Sequence, residues 1–186
     1  MSSREDILNS IRGIQREKKP LPDLPDYRLG DDLVDLFTRA ILANKGEVMN
    51  REEFEIWLSS SDFQQIVSIP ESFQSYSTQE LPEDPHQLDN LQLAILEAQF
   101  GVAENGAMWM DDSQLPHRVL PFITEHLVLV LSKQKLVDTM HQAYERIGDE
   151  HSGFGLFVAG PSKTADIEQS LVVGAHGAKS LRVVLI

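Results

Sequence analysis

The chain has 186 residues, of which 41% are apolar and 24% charged, enough for one domain with a well-buried core. Its net charge of −13, from 29 acidic against 16 basic residues, argues against a nucleic-acid groove, which needs clustered Lys and Arg. The absence of cysteine excludes disulfides, a cysteine nucleophile and a Cys-ligated iron–sulfur cluster within the chain. No apolar run is long enough for a membrane span, and the polar start lacks a signal-peptide core, so the expected compartment is the cytoplasm.

Residues 2–19 are predicted as an amphipathic helix. Ser2 and Glu5 have capping-box spacing, and Ile7, Ile11 and Ile14 share one face. Pro20, Pro22 and Pro25 then break it. This gives a helical arm over 1–19, a Pro-rich linker over 20–30 and a single α/β domain over 31–186. Such an arm packs on another subunit, a homo-oligomer included, or folds back on its own domain; the sequence leaves both open.

Within the domain, a helix is expected over 31–43, with Leu33, Leu36, Phe37, Ala40 and Ile41 inward. A strand over 46–49, a helix over 51–59 and a strand over 66–70 follow, with loop over 81–85. Residues 91–99 read as a buried strand, and 107–110 continues after a turn at Asn105-Gly106. Leu127–Leu131 is expected as a central strand. A helix over 135–147 follows, with Leu136, Met140, Ala143, Tyr144 and Ile147 inward. Phe154–Ala159 reads as a buried strand, 166–173 as a short helix and 181–186 as a last strand. The alternation implies parallel strands joined by crossover helices. Trp57, Trp109, Met108 and Met110 read as packing residues.

The run Gly160-Pro-Ser-Lys-Thr-Ala-Asp-Ile-Glu168 carries the strongest chemical signal. A strand that ends in Gly-Pro and opens a helix exposes free N–H groups, and these with the helix dipole favour an anion. Lys163 adds a positive charge; Ser162 and Thr164 add hydroxyls. In that reading Gly160, Ser162, Lys163 and Thr164 hold a ligand at the carboxyl end of a strand, and Asp166 is a polar contact or base. Simple helix capping by Thr164, Asp166 and Glu168 explains the same residues. The pair Gly174 and Gly177 around His176 allows close backbone approach, with His176 as donor or general acid/base. A tight turn with an exposed histidine explains it equally. Glu104, beside Asn105-Gly106, is available as a base or nucleophile, or belongs to an ordinary hairpin. Phosphate-loop spacing is absent, and no serine elbow supports a Ser162–Asp166–His176 triad. His86, His117, His126, His141, His151 and His176 show no paired metal-ligand spacing, so no metal is expected.

The stretch from Gly160 to Gly177, GPSKTADIEQSLVVGAHG, resembles the C-terminal signature of the LUD domain, the lactate-utilisation family, and within it the small subunit type. The Ser3–Leu8 start and the Phe100–Met110 hairpin agree less sharply, and residues 20–85 are the weakest part. The chain departs from the family pattern at Asn105 and Ala107, where hydroxyl residues flank the hairpin glycine, and at Ala178, where Pro is usual. The resemblance implies a three-layer α/β fold, with helices on both faces of a sheet, similar to the sugar-phosphate isomerase/CoA-transferase group. It implies a cytoplasmic, non-redox subunit of a system oxidising L-lactate to pyruvate, with no cofactor of its own and iron–sulfur clusters in partner proteins. A small anion would bind at 160–166, with Glu104, Asp166 and His176 as catalytic contacts. Ala103-Glu104-Asn105-Gly106 also echoes a CoA-transferase motif, which keeps open a free-standing enzyme of that class. A ligand-sensing module without chemistry is the third alternative.

Overall fold

Residues His126–Leu131 point alternately into two apolar layers. Leu127, Leu129 and Leu131 join one cluster of buried side chains, while Val128 and Val130 join another. A strand buried on both faces reads as a continuous apolar run, the mark of a parallel sheet covered on both sides. In the computed structural model, which describes residues 3–14, 25, 30, 32–148, 153–165, 171–174 and 176–186, this strand is the sheet's centre.

The described elements run α1 (Ser3–Arg12), α2 (Leu33–Ala43), β1 (Glu47–Met49), α3 (Arg51–Ser59), β2 (Ile66–Ser68), β3 (Leu93–Glu97), β4 (Phe100–Val102), β5 (Met108–Asp111), α4 (Leu120–Ile123), β6 (His126–Leu131), β7 (Leu136–Val137), α5 (Met140–Ile147), β8 (Gly155–Val158), β9 (Lys163–Ala165), β10 (Leu171–Val173) and β11 (Ser180–Leu185). Five strands form an all-parallel sheet in the order β1-β11-β6-β3-β2. A second, mixed sheet has the order β7-β4-β5-β8.

Helices α2 and α3 each start on a side-chain cap. The Asp32 carboxylate accepts from the Val34 N–H at 2.9 Å and starts α2. Asn50 and Glu53 form a reciprocal capping box at α3. One face of the parallel sheet packs on α3 and on the 3-10 turn Glu71–Tyr76. There Phe54 is fully buried, with Phe73 5.4 Å and Tyr76 5.3 Å away, ring to ring and edge-on.

The opposite face packs on Phe37 and Ile41 of α2, Leu120 of α4, and Met108 and Met110 of the mixed sheet. The expected three-layer arrangement therefore needs correction on this side: a sheet, not helices alone, forms the covering layer. The far side of that sheet, with Phe100, Val102 and Trp109, is covered in turn by Ala143 of α5.

Other expectations also change. The helix placed over 135–147 begins only at Met140. Leu136 and Val137 instead pair in parallel with Gly101 and Val102, because the β4 edge offers backbone partners that helix periodicity cannot reveal. Tyr144, expected inward, is 63% exposed. Strand β8 pairs antiparallel with β5 and is half-buried rather than buried, since it lies at the sheet's edge. Leu171–Val173, read as helix, is a strand pairing antiparallel with Lys163–Ala165; Asp166–Ser170 lie outside the described residues. Helix α1 buries none of its residues, and Ile7, Ile11 and Ile14 are 57%, 59% and 60% exposed.

Candidate functional site

The site grows out of the end of β8. Past Ala159 the chain turns at Gly160, where a Cβ would stand 2.7 Å from the Asn44 carbonyl oxygen. Only glycine permits that approach to the end of α2. The Asn44 side-chain amide in turn donates to the Asn105 carbonyl at 2.9 Å. One residue thus holds the Gly160 turn and the β4–β5 turn together. The Lys163 Nζ lies 3.5 Å from the same hypothetical Cβ, which places its ammonium beside Gly160.

The second glycine turn is fastened to the first. The Ser162 N–H donates to the Ala178 carbonyl at 2.8 Å, and the Gly174 N–H donates to the Ser162 carbonyl at 3.0 Å. A Cβ on Gly177 would meet the Ser162 Cβ at 3.2 Å and its Oγ at 3.4 Å, so the serine hydroxyl rests against Gly177. Gly174 has φ +78°, left-handed backbone, and packs against Lys179.

These contacts frame a cavity of about 300 Å³. Residues 156–160, from β8 and the turn after it, form one wall, Pro121, Phe122 and Leu127 another, and Ser162, His176 and Gly177 supply its polar side. Such a lining, mostly apolar with few polar groups, is what a small-ligand site needs. Leu127 lies near the start of β6, and Ala178 shortly precedes β11, so the cavity sits at the amino ends of the parallel strands. The expected placement at a strand's carboxyl end holds for β8 alone.

The sequence-predicted residues divide as follows. Gly160, Ser162, His176 and Gly177 line one cavity, and Lys163 stands next to it. His176 and Lys163 are both exposed. Gly174 shapes the adjoining turn. Thr164 is part of β9, paired with Val172. Asp166 lies outside the described residues. Lys163–Ala165 are strand and the Ser162 amide already serves the Ala178 carbonyl, while the helix start expected at Asp166 lies outside the described residues.

Glu104 does not line the cavity. Its Oε2 accepts from the Met140 N–H at 2.9 Å, the first residue of α5, and its own N–H donates to the Asp138 carbonyl at 3.0 Å. A carboxylate at a helix start is stabilised there by the unpaired N–H groups.

Sequence reasoning missed Asn44, Pro121, Phe122 and Leu127. Apolar or amide character alone carries no signal for them; only the fold brings them to the turn. It also missed a polar ladder at the same sheet end. His126 Nδ1 and Ser180 Oγ are 2.7 Å apart, Arg182 Nη1 donates to that Oγ at 3.0 Å, and Arg182 Nη2 meets Glu47 Oε1 at 2.7 Å. The Arg182 guanidinium stacks 4.3 Å above the Trp57 ring. Burial, then the nearby Arg182 charge, pushes the His126 imidazole below its ordinary range, so the ring is held neutral. Among the described residues, no group of three or more His, Cys, Asp or Glu is placed to hold a metal ion.

A five-stranded parallel sheet backed by a mixed sheet, with a glycine-turn cavity at the strands' amino ends, defines an α/β class of domain. The LUD domain model matches residues 2–186, and the chain belongs to that family. It is 30% identical over 92 residues to "Lactate utilization protein C" of Oceanobacillus iheyensis, covering 46% of this chain and 39% of that protein. It is 31% identical over 101 residues to the protein of the same name in Bacillus pumilus, covering 48% and 42%. The matches thus span less than half of these relatives. A DUF162 family protein from Deinococcus radiodurans superposes with a TM-score of 0.59 at 14% identity, over 82% of this chain and 95% of that one, which shows a shared fold. Among the described residues, no helix is long and apolar enough to cross a membrane.

Proposed function

We propose that this chain is the cluster-free, cytoplasmic component of a system that oxidises L-lactate to pyruvate, and that the cavity beside Gly160 holds a small carboxylate anion. The observation that carries the reading is the family match across residues 2–186, together with relatives named for lactate utilisation. The geometry supports it. The Lys163 ammonium offsets a carboxylate's charge, the Ser162 hydroxyl donates to it, and the apolar wall of Phe122 and Leu127 accommodates a methyl group. His176, at the same cavity, is placed to donate to the ligand or take its proton.

Oxidising lactate releases two electrons and two protons. With no cysteine, this chain cannot hold the electrons on a thiolate-bound cluster. In this reading they pass to clusters in partner proteins, and the chain supplies binding and orientation. The 1–19 arm is then available to such partners, which is consistent with α1 burying nothing in its own domain. The all-parallel sheet supports the wider kinship with the sugar-phosphate isomerase/CoA-transferase fold. A CoA-transferase role for Glu104 is the weaker reading, because its carboxylate caps α5.

The test is lactate-dependent dye reduction by the assembled system, purified through this chain from lactate-grown cells. The expected result is iron-containing partners and a loss of activity of at least tenfold in Lys163→Ala. Full activity in Lys163→Ala overturns the site. A lone chain without iron overturns the subunit role.

A further inference from the structure

A second cavity takes no part in the site above. It measures about 550 Å³ and lies at the carboxyl end of β2, whereas the Gly160 cavity lies at the amino ends of the same sheet. Carboxyl ends of parallel strands are where open α/β sheets usually receive ligands.

Its lining has a definite chemistry. Ser68, the last residue of β2, is 1% exposed, and its Oγ is buried with no hydrogen-bond partner among the described residues. A buried hydroxyl without a partner is unfavourable and calls for an explanation. The neighbouring hydroxyls are already engaged. Ser77 Oγ accepts from the Ser68 N–H and has its one proton between the Ile66 and Gln79 carbonyls, and Thr78 Oγ1 donates to the Gln64 carbonyl. Gln74, Gln79 and Glu80 also line the cavity, Gln74 and Glu80 exposed and Gln79 half-buried. Among the described residues, no Lys, Arg or His lines it. The set therefore offers two amides, a carboxylate and a hydroxyl, a mixture of acceptors and neutral donors with nothing to offset an anion.

We infer that this cavity is a second binding site, for a neutral polyhydroxy ligand of the sugar or polyol class. The Glu80 carboxylate accepts from two neighbouring ligand hydroxyls, the glutamine amides donate and accept, and the Ser68 hydroxyl gains the partner it lacks. Anions are repelled by Glu80 and by the chain's net charge of −13.

Amide NMR shifts of the whole chain, titrated with D-ribose, D-glucose and myo-inositol, test this. At least one should give saturable shifts at Ser68 and Gln79 to Leu81, with none at Ser162, Gly174 or Gly177. Ser68→Ala should weaken that binding roughly three- to tenfold, the worth of one hydrogen bond. Its fold should survive, since the hydroxyl has no partner to lose; Gln79→Ala, on the cavity's other side, gives an independent second variant. No saturable shift with any of the three, or unchanged affinity in both variants, overturns the proposal. Saturation by putrescine or by inorganic phosphate but not by the polyols overturns the ligand class.

Discussion

Gly160 and Asn44 touch through their backbones: a Cβ at 160 would stand 2.7 Å from the Asn44 carbonyl oxygen and 3.2 Å from the Asn44 Cβ. This contact fixes where the loop after β8 turns. Gly160→Ala must push the loop away from α2, at a cost of about 1–3 kcal/mol. Urea unfolding should show that loss, and Lys163 should move with the loop, so carboxylate binding should weaken with it. Unchanged stability would show that the two segments separate freely.

A second close approach separates packing from site effects. A Cβ on Gly155 would clash with the Trp109 ring, which is itself packed 4.8 Å from the Phe157 ring. Gly155→Ala should destabilise by about 1–3 kcal/mol through overpacking. The Trp109 emission should shift, because the ring has to leave its buried position. An unshifted spectrum would mean that the β5–β8 edge opens instead.

Glu104 offers a test between capping and chemistry. As a cap on α5, Glu104→Ala should cost about 1 kcal/mol, while Glu104→Gln, which keeps an acceptor, should cost a few tenths. Thermal unfolding of the two variants checks this. If Glu104→Gln removed lactate-dependent activity with stability intact, the carboxylate would be reacting rather than capping.

His126 gives the fold a pH dependence whose sign follows from its burial. Its folded-state value is depressed by burial and by the Arg182 charge, so the unfolded chain binds the proton more readily. The stability it contributes is fully present above the ordinary histidine value, near pH 6.5, and is lost as pH falls through the lower folded value. The melting temperature of the native chain should therefore fall more steeply between pH 7.5 and 5.5 (roughly one unit either side of that value) than that of His126→Gln. Parallel slopes would assign the acid sensitivity to other groups. Exposed His86 works in the opposite direction, because Asp84 favours its charged form, and it is unchanged in both proteins.

Much of the parallel sheet was legible in the chain. Leu127–Leu131 is apolar at every position because both its faces are buried, and the helix expected over 51–59 is α3 itself. The glycine–histidine pattern from 160 to 177 marked both the family and the residues that gather at one cavity. These signals are local: a period, a cap, or a backbone position that admits no side chain. The errors lie where distant backbone decided. Leu136 and Val137 have the periodicity of a helix but leave it for the edge of β4, and Leu171–Val173 leave it for Lys163–Ala165. A strand's hydrogen bonds go to residues far along the chain, so its propensity is set by a partner the local sequence does not contain. For the same reason the cavity wall of Phe122 and Leu127, the Asn44 clamp and the unpartnered Ser68 hydroxyl belong to the tertiary structure alone.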